Sequence, residues 1–323
     1  MTDAAWESLS NQAVAAAGVV YFLALMAHLV EWASLRGVPV AATEVARSSA
    51  PAAPASGGGV ALATGPEPVV PEAPERASLF ARIGLLLTGV ATGIHLLATF
   101  ARGMAADPNR VPWSNMYEFT LSGTLMVSVL YLAFYKRYKL AWMAPLVVGF
   151  VVTTLMVAVI WLYDGVVPLP DALNSPWLVI HVVSAVIATA AFTLGGIASA
   201  LYLVKERKGT AVTGYLARVP STTTLDRLSY RLHAFGFPVW TFAVLITGPI
   251  WAHEAWSRYW AWDPKEVWAF ITWVVYAGFL HARATAGWKG RRAAWLALIG
   301  LATLWFNFIG VNFFVKSLHS YAG

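Results

Sequence analysis

Cysteine is absent from this chain of 323 residues. Its absence excludes disulfides, thiolate metal sites, thiol redox chemistry and covalent thioether attachment to the chain itself. Charge is also scarce, because only 12% of the residues are Asp, Glu, Lys or Arg, against roughly 25% in soluble domains. Any chemistry on sulfur therefore has to use a cysteine that belongs to another molecule.

Hydrophobic residues make up 59% of the chain, which points to a protein that spans a membrane several times. A helix needs about 20 apolar residues to cross a bilayer, and eight stretches meet or approach that length. We expect an all-α polytopic membrane protein with about eight transmembrane helices. The predicted spans lie near residues 14–35, 79–100, 116–135, 140–162, 177–204, 235–251, 267–285 and 293–315. The sixth is the least regular, because it is short and contains Gly248 and Pro249.

The domain organisation follows from these spans. Residues 1–36 are predicted to form an N-terminal transmembrane helix, because the chain start has neither the basic residues nor the cleavage site of a signal peptide. Residues 37–78 are rich in Ala, Pro and Gly without hydrophobic periodicity, which is typical of a flexible linker. Residues 79–323 form the main membrane domain.

Lysine and arginine residues predict the orientation, since cytoplasmic loops carry their excess. With both termini outside, the inner loops receive 17 of the 22 Lys and Arg residues. We therefore expect both termini on the extracytoplasmic side and residues 37–78 in the cytoplasm. The formal charge of +6 is then an insertion signal, so we expect no nucleic-acid partner. The outer side keeps Arg102, Arg110, Arg258, Lys265 and Lys316.

Six of the sixteen tryptophans fall between Trp251 and Trp273, around the stretch "WAHEAWSRYWAWDPKEVWAF". Tryptophans at a span end can simply anchor it at the headgroup level, but they can also form a platform for a large planar ligand. Inside the stretch, Asp263 precedes Pro264, and Glu266 follows three residues later. This spacing predicts a helix start with Asp263 as the N-cap and Glu266 reaching back to it, which is a structural role for both carboxylates.

Histidines are the second feature of the predicted outer surface. His181 lies about one turn inside the fifth span, in "NSPWLVIHVVSA", and His319 follows the eighth span, in "FVKSLHSYAG". Two imidazoles from separate elements can hold a haem iron axially. His281 lies at the opposite, cytoplasmic end of the seventh span. We expect structural or hydration roles for the remaining histidines: His28, His95, His233 and His253.

The segment "WSRYWAWDPKEVW" resembles the WWD signature of haem-handling proteins, W-G-x-x-W-x-W-D-x-x-E-x-W. One position departs from it, because Ser257 stands where the family usually has glycine, and we expect only a small difference in packing there. With "VPWSNMYEF", "WLVIHVVSA" and "GVNFFVKSLHSYA", residues 108–323 resemble the CcsA-type (ResC-like) subunit of System II cytochrome c biogenesis. The residues that match the signature are Trp256, Trp260, Trp262, Asp263, Glu266 and Trp268.

The resemblance implies a haem-binding role for these six residues together with three histidines. His181 and His319 match the family's external axial ligands of haem iron, and His281 matches its intramembrane haem ligand. The implied function is to present reduced haem b on the extracytoplasmic face of a bacterial plasma membrane for thioether attachment to the Cys-x-x-Cys-His motif of apocytochrome c. The chain would then be one subunit of a cytochrome c haem lyase or synthase.

The resemblance also implies partners, while other functions stay open. A CcsB/ResB-type membrane protein, apocytochrome c and thiol-reducing thioredoxin-like proteins are the expected partners. The alternatives are an exporter of haem or another hydrophobic solute, a System I-type WWD haem chaperone, and a membrane scaffold whose tryptophans only anchor it. Glu118, in "NMYEF", has no role that the sequence assigns.

Overall fold

A computed structural model describes residues 1–35, 75–166, 175–209 and 215–316. These residues contain helices and connecting turns but no strand, and eight of the helical segments are long and apolar enough to cross a membrane. The predicted all-α class and the number of spans are therefore confirmed. Of the predicted linker, residues 37–74 lie outside the described residues, and 75–78 already belong to a helix.

The helices follow the chain in an up-and-down order. They are α1 (Asp3–Ser34), α2 (Glu75–Met104), α3 (Met116–Tyr135), α4 (Ala144–Trp161), α5 (Pro176–Lys208), α6 (Tyr215–Arg218), α7 (Thr222–Thr241), α8 (Gly248–Trp256), α9 (Pro264–Ala284), α10 (Arg291–Trp305) and α11 (Val311–Phe314). A 3₁₀ turn, Leu140–Met143, precedes α4. Several helices extend beyond the predicted spans, because polar and charged residues continue the helices past the apolar windows.

Two spans contain a π-helical turn. Phe242–Thr247 joins α7 to α8 in the sixth span, and Phe306–Gly310 joins α10 to α11 in the eighth. A proline follows the first turn directly, since Pro249 is the second residue of α8. Proline has no N–H to donate, so the regular hydrogen-bond ladder cannot continue through this point.

Small residues let the first two helices approach closely. The buried residues of α1 include Ala13, Ala17 and Ala24, and a Cβ on Gly84 of α2 would lie 2.6 Å from the ring of His28 in α1. Small residues of this kind allow helix backbones in a membrane to pack tightly.

Polar side chains also connect the first three helices. The hydroxyl of Tyr21 in α1 lies 2.9 Å from that of Ser128 in α3 and 3.2 Å from that of Thr92 in α2. Nearer the other end of α1, the ring of His28 lies 3.5 Å from the hydroxyl of Thr88 and 3.3 Å from the carboxylate of Glu31. Tyr21 and His28 thus each contact a polar group of a neighbouring helix, as a low-dielectric environment favours.

One end of the bundle gathers the residues singled out by the sequence. Arg102 at the end of α2 donates to Glu118 near the start of α3 at 3.0 Å and to the carbonyl of Asp164 after α4 at 2.5 Å. The hydroxyl of Ser175, before α5, donates to Glu254 in α8. We call this end, which also holds residues 251–273, the WWD end. His181 lies less than two turns into α5 and is at the same end, as the alternation of spans predicted.

Candidate functional site

A cavity of about 220 Å³ opens among the helices at the WWD end. Helices α3, α4 and α5 line one side, and α8, α9 and the segment 305–312 line the other. Most of the wall is apolar, with threonines at several depths. Residues that the sequence singled out line it beside others that it did not: His181, Trp251, Trp260, Lys265, Glu266 and Asn307.

His181 stands in the cavity wall in a defined orientation. Its Nδ1 lies 2.9 Å from the carbonyl oxygen of Ala243, which can only accept, so Nδ1 carries the proton. In that tautomer the lone pair is on Nε2, the arrangement found in metal-ligating histidines. The ring also stacks on the indole of Trp251, with the ring centroids 6.0 Å apart and an interplanar angle of 14°.

The tryptophans of the signature do not all line the cavity. Trp260 lines the cavity. Trp256 does not, but it packs on Trp251, which does, with ring centroids 4.9 Å apart. Trp268 packs on Phe306, with ring centroids 4.2 Å apart. Trp262 is 69% exposed and does not line the cavity. The structure thus brings His181 and Trp260 together and turns Trp262 outward.

The predicted capping box at the start of α9 is present. The carboxylate of Asp263 accepts from the backbone N–H of Lys265 at 3.2 Å. Glu266 reaches back and accepts from the backbone N–H of Asp263 at 3.1 Å. Pro264 occupies the first helical position, where its missing N–H costs nothing. The two carboxylates of the signature are therefore used to start a helix.

Glu266 has a further contact that the sequence did not predict. The same oxygen, Oε2, also accepts from the backbone N–H of Ala261 at 2.8 Å. The two amides that it holds flank Trp262, whose φ is +58°, a left-handed conformation that is costly for a bulky residue. Glu266 therefore stabilises the backbone conformation that turns Trp262 outward.

Ser257 also adopts a left-handed conformation, with φ +57°, where it ends α8. Glycine is the residue that adopts this conformation at no steric cost, which accounts for the glycine of the signature. The expectation of only a small packing difference was incomplete, because the backbone at this position adopts a conformation that favours glycine.

Glu118, which the sequence left without a role, is the centre of a buried ion network. It is fully buried and contacts Arg102 at 3.0 Å and Arg110 at 2.8 Å. Its Oε2 also accepts from the backbone N–H of Ser114 at 2.9 Å. These bonds fix the segment that carries Trp113, which belongs to the same buried cluster as Leu178, Val182 and Trp251 of the cavity wall. The network is thus a structural support for the site.

Apart from His181, none of the histidines in the described ranges lines the cavity. His281 is exposed near the end of α9, 17 residues from the helix start and so about 25 Å from it along the axis. His319 lies outside the described residues. His253 stacks on Tyr259 at the surface, with ring centroids 4.4 Å apart. His95 and His233 are fully buried between helices, as expected for structural residues.

Sequence reasoning missed three features of the cavity wall. Asn307 is 7% exposed and lies in the second π turn, and its Oδ1 has no hydrogen-bond partner among the described residues. Lys265 is the only Lys or Arg among the described residues that line the cavity. Val244, in the first π turn, also lines it. Two signals were available in the sequence. Asn307 is a polar residue inside an apolar span, and the Gly248-Pro249 pair marks the irregular helix that contains Val244.

Comparison with known proteins decides the family. A family model described as "Cytochrome C assembly protein" matches residues 113–319. The chain belongs to this family. The matched region contains the whole cavity wall from Phe119 to Asn312 and extends to His319.

Curated relatives agree. The cytochrome c biogenesis protein CcsA of Guillardia theta is 38% identical over 231 residues, which cover 65% of this chain and 76% of that protein. CcsA of Synechococcus sp. (strain JA-2-3B'a(2-13)) is 33% identical over 307 residues, covering 75% of this chain and 86% of that protein. The predicted resemblance to CcsA-type proteins is thus confirmed, and the chain has a role in cytochrome c maturation.

A solved structure shares the fold. "Cytochrome c Heme Lyase CcmF" superposes with a TM-score of 0.62 at 16% identity, covering 98% of this chain and 48% of CcmF. At this identity the likeness shows the fold alone. The family's role involves haem and an apocytochrome c substrate, and the eight apolar helices make this a multi-pass membrane protein.

Proposed function

We propose that this protein binds haem b and presents it, reduced, on the extracytoplasmic face of the membrane for attachment to apocytochrome c. The observation that carries the proposal is His181. It lies in the wall of an apolar cavity beside Trp251 and Trp260, with Nδ1 donating to the carbonyl of Ala243 at 2.9 Å. An imidazole held in this way is a ready axial ligand for haem iron.

The other groups of the cavity suit a porphyrin. Its apolar and aromatic wall suits the face and edges of a macrocycle, which a cavity of about 220 Å³ would hold only in part, with the rest at its open side. The amine of Lys265, in the cavity wall, can hydrogen-bond to the carboxylates of the porphyrin. The carboxylate of Glu266 is engaged by two backbone amides.

The remaining ligands follow from the family resemblance. We assign His319 as the second axial ligand at the WWD end and His281 as a ligand of a membrane haem near the cytoplasmic end. The exposed position of His281 leaves room for a second histidine from a CcsB/ResB-type partner. This arrangement requires the WWD end to be extracytoplasmic, as the distribution of Lys and Arg predicts. The resemblance implies that the membrane is a bacterial plasma membrane.

The chemistry then depends on position. The Cys-x-x-Cys-His segment of apocytochrome c places its thiols beside the haem vinyl groups, and its histidine replaces one axial ligand. Each S–H adds across a vinyl double bond: sulfur bonds to one carbon, the hydrogen goes to the other, and no oxidant is consumed. Proximity and orientation supply most of the rate. Thioredoxin-like partners would keep the thiols reduced, and the cysteine-free chain offers no competing thiol.

Haem spectroscopy of the purified full-length chain, alone and with its partner, tests the proposal. We expect His181→Ala to weaken the low-spin spectrum and to regain it when imidazole is added. His253→Ala is the matched control, because His253 is an exposed histidine at the same end that does not line the cavity. An unchanged spectrum in His181→Ala would overturn the proposal. Haem transfer across a vesicle membrane without apocytochrome c would favour an exporter instead.

A further inference from the structure

The carbonyl group of Ala243 is available to His181 because of the π turn that contains it. In a regular α-helix this carbonyl would accept from the N–H of residue 247. In the π turn it accepts instead from the N–H of Gly248, five residues on. A carbonyl oxygen has two lone pairs, and Nδ1 of His181 lies 2.9 Å from this one.

Thr247 holds this turn in place. Its hydroxyl lies 3.1 Å from the carbonyl oxygen of Ala243 and 3.2 Å from that of Phe242. Both carbonyls belong to the widened turn, where the backbone hydrogen bonds are less regular. Thr247 is fully buried, so water cannot replace its hydroxyl.

Gly248 gives the imidazole its space. A Cβ atom on Gly248 would lie 3.2 Å from both Cε1 and Nδ1 of His181 and 3.0 Å from the carbonyl oxygen of Ala243. Any side chain there presses on both partners of the hydrogen bond at once. The neighbouring backbone carbonyl is part of the helix and cannot move aside as a flexible side chain would.

We propose that Thr247 and Gly248 are positioning residues for the haem ligand. Together they keep the π turn open and hold His181 in the tautomer with its lone pair on Nε2. This inference rests on the proposed function, because it assumes that His181 binds iron. The hydrogen bond to a carbonyl also makes the imidazole a stronger donor to the metal. The π turn is then a device that sets the strength of the iron ligand.

Three substitutions test the inference in the full-length chain. Thr247→Val removes the hydroxyl at nearly constant volume, Thr247→Ser keeps it, and Gly248→Ala introduces the Cβ. We expect haem affinity to fall about 10–100-fold in Thr247→Val and Gly248→Ala, the usual effect of losing such a partner, and to remain near wild type in Thr247→Ser. Gly278→Ala is the control, since a Cβ there meets nothing within 4 Å.

Two readouts separate positioning from general loss of structure. Added imidazole should restore the low-spin spectrum in both affected variants, and their midpoint potential should rise, because a weaker donor stabilises ferric iron less. Equal losses of thermal stability in Gly248→Ala and Gly278→Ala, without rescue by imidazole, would overturn the inference.

A measurement without haem separates the inference from the proposed function. In the haem-free chain labelled with ¹⁵N-histidine, the signal of His181 is identified by its loss in His181→Ala. In the wild-type chain this signal should report a protonated Nδ1. In Gly248→Ala it should report a mixture of tautomers. An Nε2-protonated His181 in the wild-type chain would overturn the positioning inference even if His181 binds haem. A fixed Nδ1–H tautomer with an unchanged haem spectrum in His181→Ala would instead overturn the proposed function.

Discussion

Removing the carboxylate of Glu266 should loosen the loop that presents Trp262. Glu266→Ala deletes two charge-assisted hydrogen bonds, to the amides of Ala261 and Asp263 at 2.8 and 3.1 Å. At about 1.5 kcal/mol for each bond, the loss is about 3 kcal/mol. Relaxation of the left-handed Trp262 returns about 1–2 kcal/mol. The loop should therefore open more easily by about 1–2 kcal/mol.

The absence of native cysteine makes this measurable, because a single introduced thiol is the only one that reacts. Ala261→Cys places a half-buried reporter beside Trp262. A change of 1–2 kcal/mol in the opening equilibrium should accelerate maleimide labelling about 5–30-fold in Glu266→Ala. Glu266→Gln keeps an acceptor oxygen without the charge and should show a smaller acceleration.

The control is Glu254→Ala, which removes an exposed carboxylate from the same segment. That carboxylate accepts from Ser175 and makes no bond to this loop. It should leave the labelling rate unchanged. Labelling of Glu266→Ala at the parent rate would refute the view that Glu266 holds the Trp262 backbone. An equal acceleration in Glu254→Ala would show that the reporter senses general disturbance of the WWD end.

Three further substitutions probe the support of the site. Ser257→Gly relieves a left-handed serine and should stabilise the protein by about 0.5–1 kcal/mol, seen as a higher thermal midpoint. Glu118→Gln removes the buried negative charge that Arg102 and Arg110 share and should destabilise by about 3–5 kcal/mol, seen as loss of folded protein on gel filtration after mild heating. Gly300→Ala places a Cβ 2.7 Å from the ring of Tyr276 and should lower the thermal midpoint by separating α9 and α10.

Each of the three has an outcome that contradicts it. A lower midpoint in Ser257→Gly would mean that the serine side chain matters more than its backbone conformation. Wild-type stability in Glu118→Gln would mean that Arg102 is satisfied by its other contacts, to Glu7 and to the carbonyl of Asp164. For Gly300→Ala, a midpoint no lower than that of Gly89→Ala would contradict the prediction, because a Cβ at Gly89 meets nothing within 4 Å and should change nothing.

The sequence predicted the spans well because their signal is local and strong. Length and hydropathy identify a membrane helix without reference to its neighbours, and all eight were found. The capping box at Asp263 and Glu266 was equally local. The meeting of His181 with the tryptophan segment followed from counting spans, since alternate span ends share one side of the bundle.

Features that depend on contacts between distant residues could not be predicted. Trp260 lines the cavity, whereas Trp262 points outward. This difference follows from the left-handed conformation at Trp262 and from the hydrogen bond between Glu266 and the N–H of Ala261. The sequence showed the π turn at Phe242–Thr247 only as an irregular span. Its contact with His181 could not be predicted, because the two lie some 60 residues apart in the chain. The role of Glu118 required both Arg102 and Arg110 to be brought to it by folding.

The hydrogen bonds of Tyr21 have a consequence for how the protein enters the membrane. Tyr21, Thr92 and Ser128 belong to three different spans, so each helix inserted alone would expose polar groups to lipid until its neighbours arrive. Arg102, buried at the end of α2, has the same need for Glu118 in α3. The first three spans therefore complete one another's polar contacts only when all three are assembled.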